Sequence, residues 1–297
     1  MSHFKNSLRE KLTTRGIKFT LALLVIGALF CLAVGTINGL RPNSASKTRA
    51  VAASAPAVTA ARRSGNKTVR RAELMPQLRD AFGILGDRLH VSGKERLVLY
   101  GVLNRSDDST ARPFLLIQEL PGSVRFQEQA GTVPLVAIFD GARAWKPGGQ
   151  LNRVEENILE TMAYDSAERL FIAHAAGAAT RYLGSRFRVG EGEGDAKNVF
   201  DVYQLTDQVQ TAGKVQSQTK SFYLNSDALL LDRIRYQLER DGNKSEVEVR
   251  FEDWRQVQGQ KVAFRISRIE TGTPTITLTI NSASVGPLMN DGIFTKP

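Results

Sequence analysis

The sequence predicts an α+β chain: an N-terminal transmembrane helix followed by an antiparallel sheet that buries one face against helices. Three observations carry this. From Lys214 to Ile280 hydrophobicity alternates with a period of two over consecutive runs, including Arg233–Glu239, Glu246–Glu252, Lys261–Ile266 and Thr275–Ile280. Successive strand side chains point to opposite faces, so each run has one dry face and one charged face, the pattern of a one-sided meander. Leu78, Phe82, Leu85 and Leu89, and later Val154, Ile158 and Met162, recur at helical spacing and supply apolar stripes that can cover such a sheet. Finally, Phe19 to Leu40 contains no charged residue, and about 20 residues rising ~1.5 Å each cross the ~30 Å hydrocarbon core of a bilayer.

Residues 1–18 form a basic tail with Lys5, Arg9, Lys11, Arg15 and Lys18, a flank that favours a cytoplasmic side. Residues 19–40 read as a signal anchor; a signal peptide cleaved after Ala33-Val34-Gly35 is the competing reading. Cys31, the single cysteine, follows Leu29-Phe30, too bulky for a lipoprotein cleavage box. Residues 41–72 are rich in Ala, Ser, Thr and Arg and lack apolar periodicity, as a flexible linker does; such a coil spans roughly 30 Å root-mean-square. Residues 73–297 form the extracytoplasmic domain, which has no cysteine and so must rely on its core alone.

The pI near 9.9 and net charge of +10 suggest nucleic-acid binding until the charge is located. Residues 1–71 carry 13 Lys/Arg and one acid, whereas the remaining 226 carry 27 basic and 29 acidic side chains. A nucleic-acid-binding domain needs its basic residues gathered on the folded part. That class is excluded.

Within the domain, Pro76 opens the first helix, expected to end near Ser92-Gly93. Strand-like runs follow at 96–103, 114–118, 124–128, 133–139 and 142–146, with Asp140-Gly141 as a tight turn because it tolerates positive φ. A helical block is expected from Val154 to Arg186, with Leu170, His174, Ala178 and Tyr182 as its second stripe and Ser166 as an internal cap. Gly190–Asp195 reads as a loop, and strands resume at Asn198.

Little chemistry stands out. The three histidines, His3, His90 and His174, form no metal-binding motif. Glu191, Glu193 and Asp195 lack the further ligands of a calcium loop. No Gly-x-Ser-x-Gly elbow occurs. The expectation is a protein that is not an enzyme, without catalytic residues, metal or cofactor. The candidate ligand cavity is lined by Trp145 and the dry strand faces: Val247, Val249, Phe251, Val262, Phe264, Ile266, Ile276, Leu278 and Ile280. The competing reading, ordinary core packed against the helical block, is the stronger one for most of them individually, since alternation identifies a dry face but not a gap beside it.

Three segments carry a resemblance: Val136 to Trp145, with its Asp-Gly turn and tryptophan; Phe222 to Ile234, a strand–turn–strand; and Val257 to Phe264 together with the terminal Asn290-Asp291-Gly292-Ile293-Phe294. Across Glu73 to Phe294 the chain resembles the LolA/LolB-type lipoprotein-carrier superfamily of bacterial envelopes. The resemblance implies a curved, half-open antiparallel β-barrel with helices packed on its concave face and a hydrophobic cavity for acyl chains. Its carriers are freed from the signal peptide or lipidated at an N-terminal cysteine, whereas this chain is expected to keep its anchor. The expected protein is a single-pass inner-membrane binding protein with its domain in the periplasm, or a cleaved periplasmic form. It would hold an acyl chain or lipoprotein lipid. The alternative is an envelope sensor or regulatory module that binds a partner protein through the same fold.

Overall fold

The computed structural model describes residues 74–85, 95–119, 122–129, 131–187, 199–211, 214–240, 242–287 and 292–295. The segments 1–18, 19–40 and 41–72 and the loop Gly190–Asp195 lie outside the described residues. Among the described residues no helix is long and apolar enough to cross a membrane.

The elements run α1 (Pro76–Leu85), β1 (Glu95–Arg105), β2 (Asp108–Glu119), β3 (Ser123–Glu128), β4 (Leu135–Asp140), β5 (Ala144–Trp145), α2 (Arg153–Tyr164), α3 (Ala167–Ala175), β6 (Ala179–Phe187), β7 (Val199–Thr211), β8 (Lys214–Asn225), β9 (Leu231–Arg240), β10 (Asn243–Val257), β11 (Gln260–Glu270) and β12 (Thr273–Pro287). The twelve strands form one sheet in the order β5-β4-β3-β2-β1-β12-β11-β10-β9-β8-β7-β6, with antiparallel neighbours throughout. The sheet is curved and unclosed, with β5 and β6 as its two edges. Among the described residues, only the β1–β12 seam of the sheet joins the five N-terminal strands to the seven that follow.

Strand register shows which residues share the inner face. Lys220 stands opposite Tyr236, Phe222 opposite Ile234, Val249 opposite Arg268, and Ile266 opposite Leu278. These rows, continued through Leu103, Leu116, Phe126 and Phe139, form one core with the buried faces of the three helices. These core residues belong to the compact unit 61–297.

Helix α2 starts on a complete capping box: Asn152 Oδ1 accepts from the Glu155 amide at 2.9 Å, and Glu155 Oε2 accepts from the Asn152 amide at 2.8 Å. The expected helical block ends early. Gly177, at φ +91, stops the helix after α3, and 179–187 become the edge strand β6 paired with β7. Ala178 and Tyr182 therefore do not continue the stripe begun by Leu170 and His174. Long-range pairing has overridden a pattern that was helical only locally.

Helix α1 is held on α3 and β7 by an edge-to-face contact between Phe82 and Phe171 at 5.6 Å and by Tyr203 Oη, which donates to the Gln77 carbonyl at 3.1 Å. Its entry depends on His174, whose Nε2 accepts from the Met75 amide at 3.3 Å. Burial holds the His174 pKa below the ordinary histidine value of 6.5. The undocked state therefore takes up a proton more readily than the docked one. The contribution of His174 to docking is fully present above about pH 6.5 and is lost as pH falls through the lowered value. Amide exchange in α1 is expected to accelerate relative to the sheet as pH falls below about 6.5. His174→Gln, which offers an acceptor at every pH, should abolish that selective acceleration; an unchanged profile in the variant would refute the assignment.

Candidate ligand cavity

A cavity of about 680 Å³ opens between the β4–β5 hairpin and α2. Phe139, Trp145, Leu151, Leu159 and Tyr164 supply its apolar and aromatic wall, and Arg143, Lys146, Glu156 and Glu160 its charges. The hairpin is shaped by Asp140 and Gly141. Asp140 Oδ1 accepts from the amides of Ala142 and Arg143 at 2.8 and 2.7 Å, and Gly141 takes φ +91. That turn places Arg143 and Trp145 beside the helix. Phe139 meets Tyr164 edge to face at 5.4 Å, closing one side. Lys146 Nζ is committed to Glu155, at 3.0 and 3.2 Å. The exposed Arg143 side chain has no carboxylate partner among the described residues.

Behind α2 a buried polar network is set into the apolar core. Asp165, just past the helix, accepts from Lys220 Nζ at 2.5 Å and from Tyr236 Oη at 2.9 Å. Arg268, fully buried, donates through Nε to Glu270 at 2.9 Å and through Nη1 to Thr161 at 3.2 Å; its Nη2 makes no hydrogen bond but lies 3.5 Å from Glu160. Arg240 Nη2 donates to the other oxygen of Glu160 at 2.7 Å. Lys220 also donates to the Tyr164 carbonyl at 3.4 Å, and Gln118 to that of Met162 at 2.7 Å. The last turn of α2 thus meets cations and donors, as a helix C-terminus favours.

The network titrates away from ordinary values. Burial pushes the Glu160 carboxyl up even against Arg268 and Arg240, pushes the Lys220 ammonium down against Asp165, and holds the Tyr236 hydroxyl well above the usual phenol. Each is the expected direction when a charged form leaves water.

The ten candidate residues separate into distinct places. Trp145 lines the cavity. Phe251, Val262 and Ile266 border a small half-open recess of about 40 Å³ beside the α2–α3 turn, with Gln118 and Asp165. Phe264 and Ile280 border an open groove of about 490 Å³ with Glu252 and Arg265. Val247, Val249, Ile276 and Leu278 are buried in the core. Lys220, Tyr236, Arg240 and Arg268 escaped the sequence reading, yet a signal existed. Each sits at the dry parity of its strand, in step with Phe222, Ile234, Leu238 or Ile266.

The architecture defines a half-open antiparallel barrel plugged by helices, with a cleft at the β5 edge. No protein-family model matches the sequence, and no curated protein matches it. Solved structures do. A LolA superfamily protein from Nitrosomonas europaea superposes with a TM-score of 0.50 at 10% identity, covering 73% of this chain and 96% of that one. A domain described as outer membrane lipoprotein-sorting, from Vibrio parahaemolyticus, gives 0.45 at 9% identity over 76% and 97%. A DUF1329 family protein from Desulfovibrio piger gives 0.45 at 11% over 72% and 93%. The chain has a LolA-like fold.

Proposed function

We propose that this chain is a non-enzymatic binding protein of the bacterial envelope. It is held at the inner membrane by residues 19–40, with its domain in the periplasm, and takes an acyl chain into the cleft between the β4–β5 hairpin and α2. The observation that carries this reading is the cavity itself: about 680 Å³ with an aromatic and aliphatic wall. That volume lies within the roughly 300–1,000 Å³ of small-molecule sites. Burying alkyl surface yields about 0.8 kcal/mol per CH₂, so a chain of moderate length binds without catalytic or metal chemistry. The concave centre carries the ion network, and the reading rests on the edge cleft.

The test is native mass spectrometry of residues 61–297, purified from an envelope fraction without detergent and then extracted with organic solvent. An amphiphile mass that co-purifies and is lost on extraction is the expected result. An apo mass, unchanged after incubation with envelope lipids, would overturn the reading and favour a regulator that binds a partner protein.

A further inference from the structure

We propose that the cleft selects a single-chain amphiphile with an anionic oxygen headgroup, a carboxylate or a phosphate, and that Arg143 is the residue that recognises it. This rests on the binding reading above and specifies its ligand. The charges of the lining decide it. Of the two cations, Lys146 is neutralised by Glu155 at 3.0 Å. Of the two acids, Glu160 is held by Arg240 at 2.7 Å and Arg268 at 3.5 Å, and Glu156 faces Arg240 at 3.6 Å. Arg143 is left as the lining charge without a partner among the described residues. A guanidinium in that position can engage a carboxylate or phosphate through two parallel N–H donors.

The placement is prepared in advance. The Asp140 carboxylate accepts from the Arg143 amide at 2.7 Å, and the Asp140 amide donates to the Arg143 carbonyl at 3.1 Å. The backbone from which the guanidinium projects is therefore fixed by the turn, and only side-chain rotamers need ordering on binding. Phe139, Trp145, Leu159 and Tyr164 line the same cavity as Arg143. An extended chain can lie along these side chains while its headgroup stays at Arg143. The volume admits one small-molecule-sized ligand, which favours a single chain over a multiply acylated lipid.

Trp145 serves as the reporter. In residues 61–297 carrying Trp254→Phe it is the remaining tryptophan, and bromine on a bound chain quenches it at contact. The probes are 9,10-dibromostearic acid, the matching dibrominated alcohol and the matching monoalkyl phosphate. Arg143→Gln, at an exposed turn position, should weaken the acid, the phosphate or both about tenfold while leaving the alcohol unchanged; the anion with the larger loss identifies the headgroup. Equal affinities for all three probes in both proteins would overturn the headgroup assignment and leave the binding reading intact. No quenching by any probe would overturn both.

Discussion

Replacing Lys220 with methionine should lower the stability of residues 61–297 by about 3 kcal/mol, toward the lower end of the 3–5 kcal/mol lost when one partner of a buried ion pair is removed. The side chain is 3% exposed and its partner Asp165 0%. Methionine fills much the same volume, so lost packing is a small part of the effect. What dominates is the carboxylate left behind, out of water and short of its closest cation. Two partners moderate the loss: Tyr236 Oη stays at 2.9 Å and Arg268 Nη1 at 3.7 Å. The same substitution removes a donor from the Tyr164 carbonyl at the end of α2. Adding Asp165→Asn should recover a large share of the loss, because the amide carries no charge to strand. Urea unfolding of the two single variants and the double variant completes the cycle. A double variant no more stable than Lys220→Met would show that packing or the capping bond, and not the stranded charge, controls the site.

That network also marks where the sequence stopped being readable. Strands β9 to β12 were legible because their alternation is unbroken over six or seven residues, and the Asp140-Gly141 turn because its chemistry is local. Lys220 and Arg268 were hidden by the same alternation. A charged side chain at dry parity looks like a break in the pattern until a helix end with Asp165 and Glu160 is placed opposite it, and that meeting is tertiary. Strand β6 was lost for a related reason. Leu170, His174, Ala178 and Tyr182 keep helical spacing through Gly177, and nothing local to 179–187 indicates that β7 will pair with it. The cleft was half legible. Trp145 was identified, but its helical wall of Leu159 and Tyr164 was not, because spacing shows which face of a helix is apolar and cannot show where two elements fail to meet.

The β1–β12 seam supplies the second large effect. Gly101→Ala should destabilise the domain by about 3 kcal/mol or more, at or beyond the usual range for overpacking. A Cβ there would stand 2.2 Å from the Thr279 carbonyl oxygen and 2.8 to 2.9 Å from the Phe114 ring. The ring could turn aside, but the carbonyl belongs to the partner strand, so relief requires the strands to separate. They are bulged at this point already, with the register shifting between Tyr100 and Gly101. Because, among the described residues, this seam alone links the two parts of the sheet, separation there is transmitted to both. Gly286 gives the contrast. It lies on the same seam opposite Arg96, has no heavy atom within 4 Å of its own Cβ position, and does not adopt positive φ. Gly286→Ala should therefore be neutral, or stabilising by a few tenths to about 1 kcal/mol, through the lower entropy of the unfolded chain. Thermal and urea unfolding of the two variants side by side separates a steric cause from a general intolerance of the seam. Equal losses would indicate the latter, and a stable Gly101→Ala would mean that β1 and β12 pair in a register without the close approach.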